Sequence, residues 1–365
     1  MAQGVLVLLG SGETAPGMTK IHRELLGRLD PVRAINLDTA YGFQENVPQM
    51  TEKLVDYFTT SLQTPLLPVH FTSYEQTSEL ERTIVKQQVR DANYVFAGPG
   101  SPSYALSQWR PLGLVDDLRH VLVSGGVLCF SSAAVVTLGA FTAPIYEIYK
   151  VGSSLFWLEG LDLMSTLGLS CVTIPHFDNN EGGNYDTRFC YLGERRLQLL
   201  EERLPEDVAT LGIDEHTALV FDLDRDTVNV RGRAHGYWRH HGTVTVLANG
   251  STTPLEQLRG PAPATVPVAT EAPSTTAADA LELGAQVLEG GPNATEALAR
   301  LVQLALTGSD GHVEAAPLVE GVLAARRAAK QEGHYAIADS LREVLTSAGI
   351  EVQDTSTGTN WSFRA

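Results

Sequence analysis

Ser132 stands where acyl-transfer chemistry would need a nucleophile. It follows the apolar run GVLCF through Ser131 and leads into AAVV, so it should sit at a turn from strand to helix with backbone amides facing outward. A serine hydroxyl attacks only when a histidine takes its proton, and that histidine needs a carboxylate to fix its tautomer. His176, in IPHFDNNEGG after an apolar run, is the candidate base. The loop Gly98-Pro99-Gly100-Ser101-Pro102 follows the run YVFA. Its glycines would let backbone amides approach a developing oxyanion, with Gly98, Gly100 and Ala133 as the candidate donors. A plain tight turn at a strand end accounts for the same loop equally well.

Other polar clusters suggest no metal and no cofactor. His235, His240 and His241 in RAHGYWRHH would be split between two faces by strand spacing, which suits an exposed sheet edge better than ligation. Asp178 and Asp186 flank a Gly- and Asn-rich stretch that does not match an EF-hand. GSGE at residues 10–13 lacks the full G-x-G-x-x-G of a dinucleotide site. Cys129, Cys171 and Cys190 are odd in number with no C-x-x-C spacing, and read as small buried hydrophobes rather than a disulfide framework or zinc site.

The elements that must position these groups alternate. Short β-branched runs at 4–9, 32–38, 66–70, 94–97, 126–130 and 171–175 are separated by helix-like stretches at 18–29, 49–60 and 79–91. That alternation predicts an α/β fold, a doubly wound and mostly parallel sheet wrapped by helices. From 217 to 247 the runs are split by Asp-Arg-Asp and Gly-Thr turn signals, which predicts an antiparallel edge closing a domain over residues 1–258. Residues 259–277 are rich in Pro, Ala and Thr and read as an extended linker. Ala/Leu-rich stretches with helical spacing then predict a small helical domain over 278–365.

With 26 basic against 43 acidic side chains the formal charge is −17, which opposes indiscriminate binding to nucleic-acid phosphates or anionic lipid. The apolar run near the N-terminus is far too short to span a membrane and lacks a basic flank or a cleavage site. No membrane association is expected, and the expected location is the cytoplasm.

The motifs SSAA, PHF, D-T-R and G-I-D-E-x-T-A occur in an order that resembles peptidase S51, the group of dipeptidase E and cyanophycinase, over most of residues 1–250. The resemblance implies a fold like that of class I glutamine amidotransferases, with Ser132 as nucleophile and His176 as general base. Two glutamates qualify as the third member: Glu215 in GIDEHTA, which is favoured, and Glu147 in PIYEIYK. Arg188 of D-T-R resembles an arginine near the substrate pocket, where a guanidinium could hold a carboxylate; an ion pair with a neighbouring acid is the competing role. Phe130 and Ala134 replace the glycines that flank the serine in such proteins, and Pro99 replaces the second glycine of a pair.

Residues 321–365 resemble the C-terminal end of bacterial cysteinyl-tRNA synthetases through A-R-R-A-A-K, A-D-S-L-R and the run from Gly349 to Trp361. That resemblance implies tRNA contact through residues 278–365, although 314–365 carries five basic against seven acidic side chains. The synthetase catalytic core is absent. Taken together, these features predict a serine-type hydrolase acting on a small peptide or amide. The rival readings are a catalytically silent domain that binds a ligand or partner, and a tRNA-associated factor. A homodimer is compatible with either.

Overall fold

The computed structural model describes residues 3–259, together with 323, 326, 342, 350–355 and 358–363. The chain divides into two units, Met1–Thr265 and Val266–Ala365.

In the first unit the alternation produces β1 (Val5–Leu9), α1 (Pro16–Leu26), β2 (Ala34–Leu37), α2 (Val47–Ser61), β3 (Leu66–Val69), α3 (Glu79–Asp91), β4 (Tyr94–Ala97), α4 (Pro102–Leu112), α5 (Leu114–Val123), β5 (Val127–Ser131) and the short α6 (Ala133–Val136). There follow β6 (Phe141–Thr142), β7 (Leu158–Glu159), β8 (Cys171–Ile174), α7 (Glu194–Glu201), β9 (Ala209–Ile213), β10 (Thr217–Asp222), β11 (Thr227–Gly232), β12 (Gly236–His240), β13 (Thr243–Leu247) and β14 (Thr252–Pro254). The main sheet has eight strands in the order β14-β11-β10-β1-β5-β4-β2-β3, and a second sheet has the order β13-β12-β9-β8. Pairing among β1, β5, β4, β2 and β3 is parallel throughout. This is the mixed α/β, largely parallel architecture expected.

Side-chain alternation divides β1 between two cores. Leu6 and Leu8 join Val85, Leu106, Trp109 and Leu118 from α3, α4 and α5. Val5, Val7 and Leu9 join Met18, Ile21, Leu54 and Phe58 from α1 and α2. Both faces are covered, so β1 and β5 are buried along their whole length. Local signals fix the helix starts. Ser78 and Glu81 form a reciprocal capping box at α3, and proline opens α1 and α4 where the missing N–H has no acceptor to lose.

Two expectations about strands need correction. The run at 171–175 does not join the parallel sheet; β8 pairs with β9 in the second sheet. The antiparallel run at 217–247 is not one edge either. β10 pairs with β1 inside the large sheet, with β11 and β14 beyond it, whereas β12 and β13 pair with β9. Period-2 patterning reports that a strand is half buried, not which sheet it enters.

In the second unit, Ile350–Thr355 and Gly358–Phe363 form an antiparallel hairpin, β15 and β16, with Val352 opposite Trp361. The hairpin stands where a helical domain is expected, and the alternation of β-branched and polar residues in this stretch is its signal. Leu323, Arg326 and Arg342 are helical. The linker beyond Arg259 and the rest of the helical stretches in 278–365 lie outside the described residues.

Candidate active site

Strand register brings the candidate residues to one end of the large sheet. Leu9, the last residue of β1, lies opposite Ser131 of parallel β5 and opposite Ala218 of antiparallel β10. The end of β5 and the beginning of β10 are therefore neighbours across β1, and Ser132 and Glu215 sit just beyond them. His176 arrives from the end of β8, which runs parallel to β9. Phe177 donates its amide to the Ile213 carbonyl at 3.0 Å, tying the end of β8 to the end of β9. Gly212 is required there, because a Cβ would lie 2.5 Å from the Phe177 ring.

Three side chains meet. Ser132 Oγ lies 2.8 Å from His176 Nε2, and His176 Nδ1 lies 2.7 Å from Glu215 Oε1. The hydrogen bond from His176 holds the Glu215 carboxyl below the usual carboxylate range against the opposing effect of burial. Asp178 fixes the turn by accepting from the Glu215 amide at 2.7 Å. Glu147 lies elsewhere: it is bonded by Ser103 Oγ at 2.6 Å and does not reach the imidazole.

Ser132 has φ 52° and ψ −120°, a conformation that non-glycine residues rarely adopt and that marks sites where surroundings over-determine the backbone. Its own amide donates to the Leu9 carbonyl at 3.2 Å. His176 also has a positive φ, 49°, with its carbonyl held by the amides of Cys190 and Asn179. Beside the serine, Ser131 Oγ donates to Glu13 Oε2 at 2.9 Å.

The residues that replace glycine around Ser132 are accommodated by packing. Phe130 is still in β5 and points into the core, edge-on to Trp109 with ring centroids 6.3 Å apart. Ala134 is fully buried and donates its amide to the Gly98 carbonyl at 3.3 Å, which joins the 98–101 loop to the elbow. In that loop Gly100 has φ 148°, and a Cβ there would sit 1.9 Å from the Ala40 carbonyl oxygen. Only glycine fits. Ala133 opens α6, so its N–H has no intrahelical acceptor. Gly98 accepts from Ala134 through its carbonyl and Pro99 has no N–H, so the amides this turn can still offer are those of Gly98, Gly100 and Ala133.

Arg188 is engaged by its neighbour: Nε and Nη2 each meet an Asp186 carboxylate oxygen at 2.9 Å, and Nη2 lies 3.8 Å from Glu194. The Arg188 guanidinium in turn drives the Asp186 carboxyl far below its ordinary range. The two aspartates of the Gly- and Asn-rich stretch are thus engaged, Asp178 by a backbone amide and Asp186 by an arginine. Among the described residues there is no group of three or more His, Cys, Asp or Glu side chains placed to hold a metal, and no helix is long and apolar enough to cross a membrane. All three cysteines are buried and free. Glu13 and Asp178 adjoin the three side chains in roles the motifs do not name, as acceptors from Ser131 Oγ and from the Glu215 amide. Their signals were the glycine-rich turn after β1 and an acid two residues beyond the base.

No family model matches the chain. A peptidase from an acI-B1 actinobacterium has a crystal structure similar in fold, with a TM-score of 0.56 and 23% identity, covering 69% of this chain and 97% of that one. A putative peptidase E protein from Listeria monocytogenes superposes with a TM-score of 0.40 at 14% identity over 68% of this chain. Short stretches resemble cysteine–tRNA ligases: 50% identity over 46 residues for that of Dichelobacter nodosus, and 45% over 60 residues for that of Leifsonia xyli. These stretches make up 13% and 16% of this chain, which spans only 10% and 13% of the two ligases' length.

Proposed function

We propose that residues 1–258 are a serine hydrolase of peptidase S51 type that cleaves a small peptide or amide. The observation that carries this reading is the continuous Ser132–His176–Glu215 hydrogen-bond chain, both links under 3 Å. With Glu215 ionised, Nδ1–H of His176 donates to it, which leaves Nε2 free to accept the Ser132 proton. Ser132 Oγ attacks the scissile carbonyl carbon. His176 then passes the proton to the leaving amine, an acyl-enzyme forms, and water attacks it by the same route. The amides of Gly100 and Ala133 would hold the oxyanion. A substrate carboxylate at Arg188 would be met by Nη1, because Nε and Nη2 face Asp186. The fold shared with the actinobacterial peptidase supports the reading.

A fluorophosphonate probe tests it. Wild type should be labelled at Ser132 and Ser132→Ala should not; a folded wild type that resists labelling would select the silent ligand-binding domain instead.

The ligase-like stretches favour a second role for residues 278–365, contact with tRNA. In a gel-shift comparison the full chain should retard tRNA and a chain ending at 258 should not. Equal mobility of both would remove this role.

A further inference from the structure

The chain carries a large excess of acid, yet one cavity reverses that sign. Residues at the start of α1, at the end of β11 and in the turn before β10 enclose about 220 Å³, lined by Lys20, Arg231, Arg233, His216, Ala15 and Gly17 among others, with no acidic side chain in the lining. Glu24 pairs with Arg231 at 2.8 Å and neutralises one of the three cations. Lys20 and Arg233 have no carboxylate partner among the described ion pairs. His216 Nδ1 is buried with no hydrogen-bond partner among the described residues.

The helix start points the same way. An α-helix carries partial positive charge at its N-terminus, normally offset by an acid in the first turn or by a capping side chain. Here the first turn of α1 holds no acid, and the N-cap, Ala15, supplies no side-chain hydrogen bond. Met18 and Thr19 turn their amides back to the Ala15 carbonyl, while Pro16 has no N–H and Gly17 has one to offer. Two cations with no carboxylate partner among the described ion pairs, beside an uncapped helix terminus, raise the local potential, and a bound anion would relieve it.

We propose that this cavity binds a small oxyanion of the phosphate type, held by Arg233, Lys20 and the Gly17 amide. It does not depend on the hydrolase reading. It adjoins the candidate active site through His216, which follows Glu215 and whose amide donates to Ser11 Oγ at 3.2 Å.

Calorimetric titration with inorganic phosphate, at ionic strength fixed with sodium chloride, tests the proposal. Wild type should bind saturably at one site. Arg233→Ala should bind roughly tenfold more weakly, as expected for loss of one charge-assisted contact, and Lys20→Ala with Arg233→Ala should not bind. Arg188→Ala should bind like wild type. Heats no larger than dilution in wild type, an unchanged affinity in the double variant, or loss of binding in Arg188→Ala would each overturn it. Circular dichroism checks that the variants are folded.

Discussion

The serine and its two companions come from different sheets, held by different means. Ser132 leaves the eight-stranded sheet from a strand buried along its whole length, and its strained backbone is fixed by packing: Phe130 beneath it, Ala134 beside it and the Leu9 carbonyl on its amide. His176 and Glu215 leave the four-stranded sheet with side chains about 20% and 30% exposed. Hydrogen bonds hold them, from the Glu215 amide to Asp178 Oδ1 and from the Cys190 and Asn179 amides to the His176 carbonyl. A nucleophile that must keep an unfavourable φ needs apolar surroundings that leave no alternative. Under the proposed chemistry His176 changes its protonation state, and polar neighbours tolerate both forms.

The largest effects should come from breaking the chain between the sheets. Under the proposed chemistry, Ser132→Ala should lower hydrolysis by roughly 10⁴-fold or more with little change in thermal stability, measured as kcat on a cleavable amide. Glu215→Gln should cost on the order of 10³- to 10⁴-fold, because the neutral amide no longer selects the required imidazole tautomer. Glu147→Gln should leave the rate within a factor of a few, and a loss as deep as that of Glu215→Gln would show that the wrong carboxylate had been assigned. On the packing side, Phe130→Ala should destabilise the fold by about 3–5 kcal/mol in denaturant unfolding, since a fully buried aromatic leaves a cavity beneath the elbow.

This difference also explains what could be read in advance. Ser132, His176 and Glu215 each follow a short apolar run, so their placement just beyond strand ends was visible residue by residue, and 94–97 matched its strand to the residue. What could not be seen was the division into two sheets, because β11 and β12 carry similar alternating patterns and are parted only by the turn over 233–235. Arg188 illustrates a second limit. The motif D-T-R holds both the arginine and, two residues earlier, the aspartate that pairs with it, but it does not say whether the guanidinium serves that ion pair or a ligand. The tolerance for Phe130 was equally hidden, since it depends on Trp109, which is brought near by tertiary packing alone.

The smallest effects separate the halves by pH. His22, in the large-sheet half, is fully buried between the Tyr94 hydroxyl and the Glu13 carbonyl, and burial lowers its pKa to about 4. The unfolded chain takes up the proton near 6.5 while the folded one resists it. Stability present above pH 6.5 should therefore drain away as pH falls toward 4, by on the order of 3 kcal/mol. Glu215 has a depressed pKa, so its pairing with His176 is present above the ordinary carboxylate range and is lost only as pH falls through its lower folded value. Denaturant unfolding at pH 7 and 4.5 should thus show a drop in wild type that is flattened in His22→Gln. If the drop persists in His22→Gln, the acid-sensitive element lies elsewhere. Asp178→Ala should act on the other half alone: losing one hydrogen bond to the Glu215 amide costs about 1 kcal/mol, so kcat should fall by a factor of several while the unfolding curve at pH 7 moves little. A large loss of stability instead would mean that packing, rather than the polar chain, holds the histidine side of the site.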